Sequence, residues 1–99
     1  MSESTTGSRA PAAKFDLGRV VATPNALNHI PNDEILTALS RHVRGDWGDL
    51  DSHDVKANEN ALQSGGRLFS QYHSTQGIMF WIITEWDRSA TTVLLPEEY

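Results

Sequence analysis

The spacing of apolar residues separates a helical segment from a strand-rich segment within residues 15–99. Residues 19–22 contain a β-branched pair, which predicts a short strand. A helix start follows at Thr23 and Pro24, because threonine caps helix N-termini and proline suits the first helical position. This first helix is predicted to be short, since Pro31 interrupts its apolar face.

Two longer helices are predicted in the next part of the chain. Asn32 is the expected N-cap of a helix over residues 33–43, whose apolar stripe faces the core. The members of this stripe are Ile35, Leu36, Leu39 and Val43. Asp51 or Ser52 caps a third helix over about residues 52–64, which a pair of glycines ends. Because this third helix is only weakly amphipathic, we expect it to lie on the surface.

The last third of the chain has the pattern of a sheet. Three β-runs occupy residues 67–73, 78–86 and 90–95, and the short polar segments between them suit hairpins. The middle run is apolar on both faces, which is typical of a central strand. The sequence therefore predicts an α+β fold with a short N-terminal strand, two to three helices and then a three-stranded antiparallel meander. We expect the helices on one sheet face, and an uncovered apolar face would favour a homodimer.

Composition and charge narrow the classes of function. The chain has 8 Lys and Arg against 13 Asp and Glu, a formal net charge of −5. Residues 1–14 are small and polar, which predicts a disordered tail before a single domain over residues 15–99. That domain has six basic and twelve acidic residues, a net charge of −6. This acidity argues against direct binding to nucleic acid and to anionic membranes.

Several kinds of functional site are excluded because the chain lacks the residues that they need. There are 0 cysteines, which excludes disulfides and Cys-based zinc sites. The histidines lack zinc-ligand spacing, and we interpret all four as surface side chains: His29, His42, His53 and His73. No phosphate-binding glycine loop or dinucleotide fingerprint occurs. With no membrane-length apolar run and no secretory signal, we expect a cytoplasmic protein without a cofactor or bound metal.

Four aspartates lie close together between residues 46 and 54, around a tryptophan. Oxygen ligands at short spacing can bind divalent cations, but the pattern of an EF-hand loop is missing. One interpretation is a solvated loop followed by helix capping. The other is a contact surface for a protein partner, with an aromatic anchor from the strand region. The candidate partner-binding residues are Asp46, Trp47, Asp49, Asp51, Asp54 and Trp86.

An alternative site on the sheet would support acid–base catalysis by Glu85, Arg67, Arg88 and His73. Small antiparallel-sheet ribonucleases combine a carboxylate or imidazole with arginines, which move a proton and stabilise charge on the phosphorus centre. His73 is expected near the first hairpin and Glu85 near the second, which disfavours that pair. Arg67 is closer to Glu85, and these two residues also suit an ordinary cross-strand salt bridge.

Three segments of the chain together resemble sequences of a known family. They are LGRVVATP at residues 17–24, RH and GDWGD between residues 41 and 49, and WIITE, DRS and TTVLLPEEY between residues 81 and 99. They resemble small bacterial proteins labelled plasmid-related, or labelled as a type I restriction-modification subunit. The chain departs from that family at Trp86, where alanine is usual. A chain of 99 residues has no room for a methyltransferase domain, so we reject the restriction-subunit label as an activity.

The resemblance implies carriage on plasmids or other mobile elements. Small acidic proteins of such elements can act as stoichiometric inhibitors of host defence, and some occupy nucleic-acid-binding surfaces with their carboxylates. We therefore expect a non-enzymatic protein-binding module with an anti-defence or regulatory role. The alternatives are a nuclease-like domain and a self-associating structural domain.

Overall fold

The computed structural model describes residues 13–99, so most of the predicted tail over residues 1–14 lies outside the described residues. The backbone N–H of Lys14 donates to the carbonyl of Val43 over 2.8 Å. This bond ties the beginning of the described segment to the end of the second helix.

The fold is α+β, as predicted, with three helices and a four-stranded sheet. In chain order, the elements are β1 (Arg19–Ala22), α1 (Pro24–His29), α2 (Asn32–Val43), α3 (Ser52–Ser64), β2 (Leu68–His73), β3 (Met79–Thr84), β4 (Ala90–Leu94) and a 3₁₀ turn (Pro96–Glu98). Within residues 13–99, no helix combines the length and the apolar character that a membrane span needs.

The four strands form one mixed sheet in the order β1-β4-β3-β2. The strands β2, β3 and β4 are antiparallel neighbours, with Ile82 of β3 opposite Ser70 and Val93. In contrast, β1 pairs in parallel with β4 and places Val20 opposite Thr91. The predicted antiparallel meander therefore describes three strands of a mixed four-stranded sheet. The long chain between β1 and β4 supplies the crossover that parallel neighbours require.

The predicted caps of α1 and α3 are confirmed. The Oγ1 atom of Thr23 accepts the N–H of Ala26 over 3.1 Å, with proline at the first position of α1. The carboxylate of Asp51 accepts the N–H of Asp54 over 2.9 Å at the beginning of α3. Helix α3 ends at Gly65, whose φ of 85° is in the left-handed region that favours glycine.

Helix α2 differs from the prediction at its beginning and on one face. Pro31 rather than Asn32 is its N-cap, and no side chain caps the helix. The carbonyl of Pro31 accepts the N–H of Ile35, so the helical hydrogen bonds begin at the proline. Ile35 and Leu39 are buried as expected, whereas Leu36 is 66% exposed. One helical position rotates Leu36 by about 100° from Ile35, which turns it away from the core.

The main hydrophobic core lies between the sheet and helices α1 and α2. Its buried side chains are Ala26, Ile30, Ile35, Ala38, Leu39, Tyr72, Phe80, Ile82, Val93 and Leu95. A smaller cluster contains Trp47, Ala61 and Leu68, with Val55 and Leu62 of α3 packed against it. Because side chains alternate along a strand, Phe69, Trp81 and Ile83 lie on the opposite sheet face.

Helix α3 protects the outer edge of β2 through one side chain. Asn58 is 3% exposed, its Nδ2 donates to the carbonyl of Phe69 over 2.7 Å, and its Oδ1 accepts the N–H of Phe69 over 3.0 Å. A side-chain amide offers the same donor and acceptor as a peptide group. Asn58 therefore takes the place of a neighbouring strand and satisfies backbone groups that an edge strand would otherwise expose.

Candidate functional site

The loop that begins the aspartate-rich segment is fixed to the edge of β2. The carbonyl of Trp47 accepts the N–H of Gln71 over 3.1 Å, and the N–H of Asp49 donates to the carbonyl of Gln71 over 2.7 Å. The hydroxyl of Tyr72 donates to the carbonyl of Asp46 over 2.6 Å. Between them, Gly48 has a φ of 77°, and a Cβ at this position would lie 2.0 Å from the carbonyl oxygen of Gln71. The close approach therefore requires glycine.

Trp47 is an internal support of this loop. Its side chain is only 4% exposed, and its indole Nε1 donates to the carboxylate of Glu59 over 2.8 Å. Its ring stacks on Phe15, with 6.2 Å between the ring centroids. The sequence interpretation placed Trp47 among the partner contacts. In this structure its side chain is buried because the loop folds it under α3, so it does not present a contact surface.

Asp46 is engaged within the loop. Its carboxylate accepts two hydrogen bonds from the guanidinium of Arg41, at 2.7 Å and 3.2 Å. The hydrogen bond from Arg41 lowers the pKa of Asp46 below its ordinary value. The Arg41 guanidinium also lies 4.7 Å from the centre of the Tyr72 ring. The charge of Asp46 is therefore balanced locally, which reduces its attraction for a partner.

Three of the predicted partner-binding aspartates form one exposed surface, which we name the acidic segment: Asp49, Asp51 and Asp54. Asp49 and Asp51 are exposed and Asp54 is half-buried. The Oδ2 atom of Asp49 lies 2.7 Å from Nδ1 of His73, and Asp51 caps α3 as described above. Ligand atoms of Asp51, His53 and Asp54 lie within 4.8 Å of one another. Such proximity is ordinary at an exposed helix beginning, and we assign no metal to it.

Trp86 lies far from the acidic segment. It is 66% exposed in the turn after β3. In that turn Arg88 adopts a φ of 62° and donates to the carbonyl of Ala61, near the end of α3, over 3.0 Å. Asp51 is at the other end of this 13-residue helix, which is about 20 Å long. The predicted partner-binding set is therefore divided between the two ends of α3.

The alternative acid–base residues are not brought together. The register pairs His73 with Met79 at one end of the β2–β3 hairpin, while Glu85 follows the other end. The guanidinium of Arg88 is used by backbone carbonyls, including those of Gly66 and Glu85. Arg67 lies 5.1 Å from the centre of the Tyr99 ring, and among residues 13–99 no ion pair joins it to Glu85. Catalysis by this set remains a prediction that the geometry does not support.

His42 has a role that the sequence interpretation missed. It was expected on the surface, yet its exposed fraction is 0%. Its Nε2 lies 2.9 Å from Oγ1 of Thr84, which lies 2.7 Å from Oγ1 of Thr91, and Thr91 donates to the carbonyl of Leu17 over 2.6 Å. Since a carbonyl only accepts, each preceding hydroxyl must donate along the chain towards it. Nε2 of His42 therefore carries the proton, and Nδ1 accepts from the hydroxyl of Ser70.

The buried network keeps His42 neutral. Burial, assisted by the positive charge of Arg88, lowers the pKa of His42 from 6.5 to about 4. A doubly protonated ring would turn Nδ1 into a donor that faces the Ser70 hydroxyl, and this hydroxyl would need a new acceptor. His42 is consequently a structural residue. Its ring joins α2 directly to Ser70 of β2 and Thr84 of β3, and through Thr84 to Thr91 of β4.

A cavity lies on the sheet face opposite α1 and α2. Its volume is about 360 Å³, and we name it the Trp81 cavity. It is lined by Asp54, Ala57, Asn58, Arg67, Phe69, Trp81, Ile83 and Tyr99. The cavity brings together residues from α3, from β2 and β3 or their flanks, and from the C-terminal segment. No local sequence pattern could therefore predict it.

Comparison of the chain with protein-family models, with curated proteins and with solved structures found no match. The description of the candidate site therefore rests on the geometry of its own side chains.

Proposed function

We propose that this chain is a small protein-binding module without enzymatic activity, which contacts a basic protein surface through the acidic segment. We further propose that it acts as a stoichiometric inhibitor or regulator of a host defence or nucleic-acid-handling complex. The supporting observation is that Asp49, Asp51 and Asp54 present their carboxylates from a fixed loop and the first turn of α3. The mobile-element setting is suggested by the family resemblance.

A fixed loop favours binding, because the chain gives up little conformational entropy when the partner docks. Both backbone groups of Gln71 hold the loop, and the Tyr72 hydroxyl holds it from a second direction. Helix α3 then extends the surface, since Asp51 is fixed by capping the N–H of Asp54. The three carboxylates on this surface would attract a basic partner and accelerate its association at low ionic strength.

Trp86 supports a second contact. An exposed tryptophan is a common energetic centre of protein interfaces, and 66% of this side chain is exposed. A partner that touches both Trp86 and the acidic segment must extend along α3, over about 20 Å. Because the two contacts are separated by that length, we expect their substitutions to have additive effects on the binding free energy.

The test is affinity capture from a bacterial lysate with quantitative mass spectrometry. The variant Asp49→Asn/Asp51→Asn/Asp54→Asn removes three charges and keeps side-chain shape, and asparagine still caps α3. A matched control removes three exposed charges elsewhere, through Asp16→Asn, Asp33→Asn and Glu97→Gln. We expect the control to retain a specific partner that the first variant loses, and we expect added salt to weaken the native complex.

Retention of every specific partner by the acidic-segment variant would contradict the proposal. Equal losses in the two triple variants would also contradict it, because such a result reflects net charge alone. The nuclease-like and self-associating alternatives remain predictions. Incubation of the protein and of Glu85→Gln with RNA and DNA tests the first, and light scattering tests the second.

A further inference from the structure

The Trp81 cavity has the size and the walls of a small-molecule site. Its volume of about 360 Å³ falls within the usual range of ligand pockets, about 300–1,000 Å³. The rings of Phe69 and Trp81 meet edge to face, with 5.0 Å between centroids, and Trp81 meets Tyr99 in the same manner at 5.8 Å. Ile83 completes the apolar wall and is 6% exposed. Aromatic walls of this kind favour a flat aromatic guest.

Most polar groups around the cavity are already satisfied. The amide of Asn58 uses its donor and its acceptor on the backbone of Phe69. The indole Nε1 of Trp81 donates to Oε1 of Gln71 over 3.1 Å. Both side chains already use these polar groups within the protein. The polarity of the cavity therefore depends on the charged side chains of Asp54 and Arg67 and on the Tyr99 hydroxyl.

Arg67 is the cation of the cavity, and its donors are uncommitted within the described part of the chain. Its guanidinium lies against the Tyr99 ring, 5.1 Å from the centroid. Among residues 13–99, no acceptor receives a hydrogen bond from Arg67 and no carboxylate lies within 4 Å of it. A planar guanidinium with free N–H groups matches the two oxygens of a carboxylate.

The acidic lining residue lies at the other side of the cavity. Asn58 is bonded to Phe69, so these two residues mark the same level of α3 and β2. Asp54 precedes Asn58 by one helical turn, about 6 Å, and Arg67 precedes Phe69 by two strand positions, about 7 Å. Because the chain reverses direction between α3 and β2, these displacements are opposite. An anion at Arg67 is therefore kept away from Asp54.

We propose that the Trp81 cavity binds a small aromatic carboxylate. The ring of the ligand packs against Phe69, Trp81 and Ile83, and its carboxylate accepts hydrogen bonds from Arg67. This site shares Asp54 with the acidic segment but has the reverse charge requirement: the acidic segment attracts a basic surface, whereas Arg67 attracts an anion.

The test is an NMR titration of the ¹⁵N-labelled protein with 2-naphthoate and with 2-naphthamide, which has the same ring without the charge. We expect saturable shifts of the Trp81 indole N–H and of the Phe69 and Ile83 amides. We expect 2-naphthoate to bind about three- to tenfold more tightly, because its carboxylate forms a charge-assisted pair with an exposed guanidinium. Arg67→Gln should abolish this preference, whereas Arg19→Gln, at an exposed arginine of β1, should keep it.

The proposal is overturned if no shift at these three residues saturates, if the two compounds bind equally well, or if Arg67→Gln keeps the preference. If Arg67→Gln fails to fold, the comparison of the two compounds on the native protein still tests whether binding requires the carboxylate. The variant Asp49→Asn/Asp51→Asn lies outside the cavity lining and should bind 2-naphthoate as the native protein does. Its result separates this proposal from the proposed partner binding.

Discussion

The buried imidazole of His42 predicts a specific loss of stability in mild acid. In the folded protein its pKa is lowered to about 4, whereas the ordinary value is 6.5. The unfolded chain therefore binds a proton between pH 6.5 and pH 4 that the folded protein does not bind. The stabilisation is complete above pH 6.5 and is lost progressively as the pH falls towards 4.

The size of this loss follows from the difference between the two pKa values. Each unit corresponds to about 1.4 kcal/mol, so a difference of 2.5 units gives about 3 kcal/mol. No discount for solvent screening applies, because the side chain is 0% exposed. A domain of this size is stable by only about 5–15 kcal/mol. Protonation of the unfolded His42 therefore removes a large share of its stability.

Urea unfolding, followed by tryptophan fluorescence at several pH values between 7 and 4, measures the effect. The comparison variant is His42→Gln, whose amide can donate to Thr84 and accept from Ser70 but does not titrate. Carboxylates such as Asp46 titrate in both proteins, so their contributions cancel. We expect the free energy of unfolding of the native protein, relative to the variant, to fall by about 3 kcal/mol across this range.

Parallel pH profiles for the native protein and His42→Gln would refute the reasoning. So would an NMR titration that places the pKa of His42 near 6.5 in the folded protein.

Two further predictions concern the β2 edge. Gly48→Ala should lower the free energy of unfolding in urea by more than about 2 kcal/mol. The new Cβ would collide with the carbonyl of Gln71 in β2, and alanine would also have to adopt a positive φ. Gly77→Ala, with the same backbone region but open space, should cost only about 1 kcal/mol, and equal costs would contradict the steric explanation. Asn58→Ala should cost about 2–4 kcal/mol, since two backbone groups of Phe69 lose their partner. The exposed Asn60→Ala should change stability by less than about 0.5 kcal/mol, and a similarly small effect of Asn58→Ala would refute its bridging role.

The parts of the fold that the sequence predicts correctly depend on local physics. Thr23 before a proline, Asp51 before α3 and Gly65 after it each act within one helical turn, so a few neighbouring residues determine their structure. The continuous apolar run likewise predicts β3 as an interior strand, because both faces of such a strand are covered. The parallel partner of β1 has no local signal, since β4 lies about 70 residues further along the chain.

The errors at the candidate site have a common physical origin. His42 was expected on the surface because it is polar, yet its ring is satisfied by partners distant in sequence. Asn58, for which no prediction was made, is buried in the same way by its hydrogen bonds to Phe69. Their helical spacing was the usable signal. His42 follows Ile35 and Leu39 on the buried face of α2, and Asn58 precedes Ala61 on the buried face of α3. Trp47 was predicted to contact a partner because its neighbours are acidic, but the charge of neighbouring residues does not determine whether the Trp47 side chain is buried.

The protection of the β2 edge also limits how copies of this chain could assemble. A continuous sheet that grows by pairing the strand edges of many copies requires two open edges on every molecule. Asn58 and the loop at Gly48 occupy one of these edges, so within the described residues only the β1 side can accept another strand. If two copies joined there, each would consume the open edge of the other and growth would end at the pair. In such an assembly, Asn58 and the loop at Gly48 would limit growth to a closed pair.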